Sequence, residues 1–501
     1  MTSSFVYSKL FTMCRLQSFY ILVFLYIQSG RCQEWNWIMG DNSIGTLSSS
    51  NGPGARSGSS VWTDEDGITW LFGGKGFSDI DEGEPKLLND LWTFNNQART
   101  WNLVHSGTVS EAMSDNVAPS PRQQAAACGF TKISMVVFGG LDEGDSGIGD
   151  TWVYNIQKRK WLLLSEISNV TSKTDNSSLE MPSARGDMAS WCMLDRMYIF
   201  GGMDNSKKIF NDLWKFSLKD LEWSEVHSPN KPANPNTDSD HYPMGRNGPT
   251  TWKGKDGNLF MFGGNILGTN VRSRHLNMGY TSDMWRYLSH NNTWVFQHGY
   301  RSSCHPARYG RKYEFSSLNI PGCRRRGAAW MDTGGRVWLY GGDGTDTSYP
   351  SVFHSSKLLA DLWLYSPWDK IWFWFGGSDK GDAEPKYYWK TYAGGDALPG
   401  GRYEPIFWTG ADNTFYLFGG LGHDGHNHDG YLNDLWVMDV NYLLERSGVP
   451  AGTLMLYLLM ALALVLTMAG IFLYARDRKG PSIWSRLSND VKYSQLTTTG
   501  D

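Results

Sequence analysis

The chain has 501 residues, with 46 Lys and Arg against 50 Asp and Glu, for a formal net charge of −4. Aromatics are 14% and charged residues 19%, with 24 Trp and 56 Gly. That balance excludes a disordered chain and offers no basic surface of the kind nucleic acid needs. So much Gly and Trp without helical periodicity points to many short strands joined by tight turns.

In chain order, residues 1–32 read as a secretory signal peptide. Lys9 and Arg15 precede a short apolar run from Phe19 to Ile27, and Gly30 and Cys32 place small residues before a cut at Gln33. The compartment is then oxidising, and four Cys remain: Cys128, Cys192, Cys304 and Cys323. Cys304 and Cys323 flank a polar stretch and are expected to close a loop. Cys128 and Cys192 stand in corresponding strands of neighbouring repeats, and the sequence leaves pairing and free thiols both open.

From residue 33 a repeat takes over. A strand ending in Gly-Gly recurs six times, the pairs beginning at Gly73, Gly139, Gly201, Gly263, Gly341 and Gly419, with spacings of 66, 62, 62, 78 and 78. An Arg stands 16 or 17 residues ahead of each: Arg56, Arg122, Arg185, Arg246, Arg324 and Arg402. An Asp-x-Trp strand follows each pair, and nine residues after five of these Trp stands another, from Trp101 to Trp372. Each unit therefore offers four short strands, the Gly pair marking where the chain turns out of the second. A lone four-stranded sheet cannot bury its two faces; radial stacking buries both, with Trp and Phe filling the wedge between sheets.

Gly-Gly, then Asp-x-Trp, then Trp nine residues on resembles the kelch repeat of the galactose-oxidase-like propeller superfamily, over residues 33–440. The resemblance implies an all-β fold, a six-bladed kelch β-propeller. The sixth repeat lacks its Trp-led strand, since Glu445 stands nine residues past Trp436. Trp35-Asn36-Trp37-Ile38 matches Trp101-Asn102-Leu103-Val104. Residues 34–39 are therefore expected to complete the last blade as its outer strand, closing the ring.

Loop lengths are unequal. Connections between strands one and two, such as Thr63–Gly67, and three and four, such as Ser217–Asp220, are short. Those between strands two and three (Lys75–Asn89, Asn265–Ser282, Asp343–Ala360) and between blades (Ser106–Pro121, Glu166–Ala184, His298–Cys323, Gly377–Gly401) are long. Antiparallel geometry puts both long classes on one face, which is the expected binding face. There the cluster His423, Asp424, His426, His428 and Asp429 carries donors suited to a divalent metal, though its spacing matches no standard motif. Otherwise no cofactor is indicated. The recurring Arg are expected to be structural, each paired with an Asp or carbonyl beside its own blade. Asn169, Asn176 and Asn291 head glycosylation sequons.

Residues 452–475 form a 24-residue run without a charge, long enough for a transmembrane helix at ~1.5 Å per residue. Arg476, Arg478 and Lys479 follow, placing the C-terminus in the cytosol by the positive-inside rule. The expected organisation is a signal peptide (1–32), a propeller ectodomain (33–445) of net charge −9 over 33–475, a transmembrane helix (452–475) and a cytoplasmic tail (476–501). In the tail, Tyr493-Ser494-Gln495-Leu496 resembles a Tyr-x-x-Φ signal read by clathrin adaptors, so Tyr493 and Leu496 are its candidate residues.

The expected function is a single-pass type I glycoprotein at the plasma membrane or an endomembrane, anchored in the lipid bilayer. Its extracellular propeller would bind a protein or glycan as a receptor or adhesion module, without nucleic acid. Attractin-type proteins also display a kelch propeller outside the cell, but this chain lacks their CUB, EGF-like and lectin modules. The alternative is a membrane-tethered copper enzyme similar to galactose oxidase. That family's copper is held by two Tyr and two His, one Tyr crosslinked to Cys, and the sequence shows no matching arrangement, so no enzyme is expected.

Overall fold

In a computed structural model, six antiparallel sheets account for every strand of the chain that is described. It describes residues 35–443 other than 50, 79–82, 108–117, 131–133, 165–180, 228–241, 267–278, 302–303, 315, 348–355, 389–396, 412 and 442, and beyond them Thr467. The signal peptide, Asn169, Asn176, the tail with Tyr493 and Leu496, and the apolar run apart from Thr467 lie outside the described residues. No helix among the described residues is long and apolar enough to cross a membrane.

Each sheet is one blade, and the strands run outward in chain order. Blade 3 is representative, with Ala189–Met193, Arg196–Phe200, Leu213–Ser217 and Glu222–His227 paired in sequence. Blade 6 is the exception. Its outer strand is Asn36–Met39, which pairs antiparallel with Asp429–Asp439 and sets Trp37 opposite Trp436. Trp92 is likewise opposite Leu103 in blade 1, so the register is the one the sequence match implied. The innermost strands touch cyclically, from Ser60–Thr63 through each blade to Ile406–Thr409 and back. The ring is closed.

Apolar clusters join neighbouring blades around the circle. The sixth junction, between blades 5 and 6, is aromatic: Trp330 stacks on Phe415 at 5.5 Å, and its indole donates to the Trp408 carbonyl. Each buried Trp removes roughly 150–250 Å² from water, which explains how thin blades obtain a core.

The Gly pair acts differently from expectation in three blades. In blades 1, 5 and 6 the strand does not end there; pairing shifts register across the pair and resumes, as in Ile68–Gly76 against Lys86–Asn95. The left-handed backbone there makes a bulge, and the two strands continue as a ribbon beyond it. Parts of Lys75–Asn89 and Asp343–Ala360 are therefore strand, not loop. The glycine is also needed between blades. A Cβ on Gly263 (φ +67°) would lie 2.2 Å from the Arg324 carbonyl of the next blade, and one on Gly419 2.7 Å from the Arg56 carbonyl.

Cys128 and Cys192 face each other as a disulfide from the inner strand of blade 2 to that of blade 3, with Cα atoms 5.4 Å apart. In the other blades a Trp stands where Cys128 does, and Trp191, for example, donates its indole N–H to the Phe260 carbonyl of the next blade. A covalent link thus replaces the large side chain at this one junction. Replacing both Cys by Ser is expected to lower stability by about 2–4 kcal/mol. An unchanged denaturation midpoint would show that the link contributes nothing.

Candidate binding face

The six Arg are framework. Arg324 donates from Nη1 and Nη2 to Asp361 at 2.7 Å each and from Nη1 to the Gly341 carbonyl at 3.0 Å, while Asp361 also accepts the Trp363 indole N–H at 2.7 Å. The same Arg–Asp–Trp arrangement holds in the other five blades, for Arg56, Arg122, Arg185, Arg246 and Arg402. It ties the first strand of a blade to the third, which is the structural role expected for a residue recurring in every unit.

Two residues past each Arg lies a second ring. Gly58, Gln124, Asp187, Gly248, Arg326 and Glu404 are all left-handed, with φ between +53° and +64°. Each donates its N–H to the carbonyl of the preceding member, and Gly58 donates to Glu404, closing a belt of six hydrogen bonds of 2.7–3.5 Å about the axis. The belt compensates the strain of the four non-glycine members.

Inside the belt the side chains meet. Arg326 donates Nη2 to Asp187 at 2.7 Å and to Gln124 at 3.1 Å, and Nη1 to Glu404. Gln124 also donates to Glu404, Ser57 donates to Glu404, and Asn247 donates to Asp187. Burial works against the charge on Arg326, but Asp187 and then Glu404 outweigh it and hold its pKa above the ordinary value. Ion pairs thus link blades 3, 5 and 6 at the axis, and hydrogen bonds bring in Ser57 of blade 1, Gln124 of blade 2 and Asn247 of blade 4. The buried Asn247 Oδ1 has no hydrogen-bond partner among the described residues.

One residue before the belt, the same register position carries six different pairs: Ser57/Lys75, Gln123/Leu141, Gly186/Met203, Asn247/Asn265, Arg325/Asp343 and Tyr403/Leu421. Positions that hold a blade together repeat; this one varies in charge, size and polarity, with Ser57, Gln123, Leu141, Gly186, Asn247 and Asp343 buried and Lys75, Met203, Asn265, Arg325, Tyr403 and Leu421 partly exposed. Arg325 binds Asp343 at 3.0 Å, and Tyr280 donates to the same carboxylate at 2.7 Å.

The axial mouth lies on the face that carries the long connections. On the opposite face every strand connection spans two to five residues, as between Met193 and Arg196 or Lys253 and Leu259. Asn291 is exposed in such a turn, on that opposite face of blade 4. Cys304 and Cys323 pair as a disulfide, with Cα atoms 5.1 Å apart, in the loop leading to blade 5.

The His-rich segment is a hairpin tip. Asp424 organises it: its Oδ1 accepts the N–H groups of His426 and His428, and its Oδ2 accepts that of Ile44. Burial opposes its charge, yet these backbone donors hold the carboxyl below its ordinary pKa. His423 faces Asp429 and His428 faces Asp424, as separate pairs. No group of three or more His, Cys, Asp or Glu suited to one metal ion comes together among the described residues.

The sequence profile of the KLHDC2/KLHL20/DRC7 kelch-repeats domain matches residues 104–316. The chain is a kelch-repeat β-propeller. Its kelch region is similar to the host cell factor of Drosophila melanogaster, 25% identical over 274 residues, 50% of this chain and 16% of that protein. It is similar to the flagellar outer-arm dynein alpha chain of Chlamydomonas reinhardtii, 25% identical over 41% of this chain and 4% of that one. An F-box/kelch-repeat protein of Arabidopsis thaliana is 27% identical over 30% of this chain and 28% of its own. The matches span less than a third of each relative.

Three His sit at the loop-side ends of outer strands of this kelch propeller: His105, His227 and His298. Burial lowers the pKa of all three, Asp90 and Glu225 partly opposing it at the first two. The fold therefore favours the neutral ring. The stability this contributes is complete above the ordinary His pKa of 6.5 and is lost as pH falls below it. The melting temperature is expected to drop between pH 7.5 and 5.5, and His298→Gln to flatten that dependence; a flat profile in the parent would contradict it.

Proposed function

We propose that the chain is a single-pass type I membrane protein whose extracellular propeller binds a protein or glycan through its loop-bearing face, as a receptor or adhesion module. The observation that carries this reading is the one-sidedness of the ring. Long connections, the axial mouth and the blade-to-blade variation at one register position share a face, while the other is trimmed to short turns. The charge-free run at 452–475, followed at once by Arg476, Arg478 and Lys479, supports the anchoring. Sequons at Asn169, Asn176 and Asn291 fit a lumenal ectodomain.

Intact cells expressing the tagged full chain test both parts. Endoglycosidase should increase mobility, and an antibody to an N-terminal tag after residue 33 should stain unpermeabilised cells. Proximity labelling at the surface, with a glycan array in parallel, should return partners that are lost when loop-face connections are shortened and kept when the short turns are altered. The reverse pattern would refute the binding face, and an unglycosylated, unstained chain would refute the topology.

A further inference from the structure

We propose that the axial mouth of the propeller takes a primary ammonium group, held against the carboxylate of Glu404. The assignment rests on the loop-face reading above and names the chemistry of what enters that face.

The belt is short of positive charge. Arg326 turns Nε and Nη2 to Asp187 and Nη1 to Glu404, so one guanidinium serves two carboxylates. The side chains around the belt do not restore the balance. Arg325 is matched by Asp343 at 3.0 Å and Lys75 by Glu143 at 3.8 Å, while Asp145, which accepts from Gln123 Nε2 at 3.3 Å, adds a further carboxylate.

Hydrogen bonding points the same way. Gln124 Nε2 and Ser57 Oγ both donate to Glu404, and Asn247 Nδ2 donates to Asp187 at 2.6 Å. That last bond fixes the Asn247 amide, because the flipped amide would set its oxygen against a carboxylate. Oδ1 is left without a partner among the described residues, in a residue only 1% exposed. A buried acceptor without a donor is costly. Water would supply a donor but no charge. A divalent metal ion would need several oxygen ligands converging, and no three His, Cys, Asp or Glu do so among the described residues. An ammonium group supplies both donors and charge.

Space and surroundings favour the Glu404 side of the belt. A Cβ on Gly58 would lie 3.3 Å from Glu404 Oε2 and 3.4 Å from Gln124 Cγ, so a group of methyl size fits over this glycine beside the carboxylate. At the opposite glycine, Gly248, it would lie 3.0 Å from Arg326 Cγ, and that side is tighter. Two partly exposed aromatic residues, Tyr403 and Tyr431, flank the same carboxylate. Burial and then Glu404 raise the pKa of both hydroxyls; Tyr403, Glu143 and Asp145 add to the effect on Tyr431, which is pushed up to about 12. Aromatic rings beside carboxylates attract an alkylammonium group through their faces. Glu404 and Asp187 are buried, so the cation must arrive on a slender stem. The side chain of a partner's lysine has that shape, as does a free alkylamine.

The test uses the full chain in detergent micelles with four probes: a fluorescent N-acetylated peptide with a single Lys, its Nε-acetyl-lysine counterpart, n-butylammonium and glutarate. The Lys peptide should bind, the acetylated peptide should bind ~10-fold or more weakly, and n-butylammonium should displace the Lys peptide. Displacement at equal concentrations assigns the site to free amines; displacement only at large excess assigns it to a partner's lysine. Glu404→Gln should weaken binding ~10-fold or more, and Tyr431→Leu about 3-fold. Glu65→Gln, which removes an exposed carboxylate from a short turn on the opposite face, should leave it unchanged. Melting temperatures establish folding, and Tyr431→Leu keeps the test decisive should Glu404→Gln fail to fold. Equal binding of the acetylated peptide, preference for glutarate, or an equal effect of Glu65→Gln would overturn the proposal. If the cell-surface partners survive Tyr431→Leu and Glu404→Gln but are lost when loop-face connections are shortened, the loop-face reading stands and the ammonium assignment falls.

Discussion

Asp361→Ala should lower stability by about 3–5 kcal/mol, far more than removal of a surface acid. Arg324 and Asp361 are both fully buried. The carboxylate accepts two guanidinium N–H groups, the Trp363 indole N–H and the Tyr309 hydroxyl. Its loss leaves all of them without an acceptor and strands a cation in a dry site. Burial disfavours the charge of Arg324, and in the parent Asp361 outweighs it; without Asp361 the guanidinium still cannot escape by deprotonating, because it is too basic to lose its proton at any working pH. The double replacement of Arg324 by Met and Asp361 by Leu should recover much of the loss, because no lone charge remains. Thermal and denaturant unfolding of the parent, single and double variants measures both. A single variant within about 1 kcal/mol of the parent would mean that water reaches this site and that the blade is looser than its burial implies.

Trp35→Ala should also cost about 3–5 kcal/mol. It is 0% exposed and packs against Trp330 at 6.0 Å and Tyr340 at 5.2 Å, both in blade 5. The segment it leads closes the ring. Asn36–Met39 is the outer strand of blade 6, and Asp41, Ile44 and Gly45 then donate backbone N–H groups to Asn433, Asp424 and Tyr431. Loosening this clasp exposes the edge of Asp429–Asp439, so the variant should become protease-sensitive and self-associating as well as less stable. Trp368→Ala is the contrast: this Trp is 57% exposed, and the substitution should change stability by less than about 0.5 kcal/mol. Equal effects of the two would remove the reason for regarding the N-terminal strand as the closure of the ring.

Much of the fold was legible because a blade imposes the same demands on every unit. An Arg must meet its Asp, a glycine must pass under the next carbonyl, and a Trp must fill the wedge. Those demands recur at fixed intervals, so they print a period in the chain. The missing outer strand of blade 6 was legible for the same reason, as a gap in the pattern and a matching fragment elsewhere. The Gly pair was read as the end of a strand, whereas in blades 1, 5 and 6 it is a bulge within one; a positive φ serves either purpose, and only the following residues' pairing separates them.

Sequence by itself thus determined the number of blades, their strand order, the closure and which face carries the long connections, since each depends on local geometry repeated six times. Tertiary structure decided what meets once only. Arg326 reaches Asp187 across 139 positions and Glu404 across 78, and Cys128 finds Cys192 across 64. Tyr309 and Tyr387, in successive connections between blades, are likewise matched only by the tertiary structure, which sets both hydroxyls on blade carboxylates. A contact made at one junction only constrains one residue on each side and leaves no period; its partners are chosen by the ring's curvature, which exists only after the chain has closed.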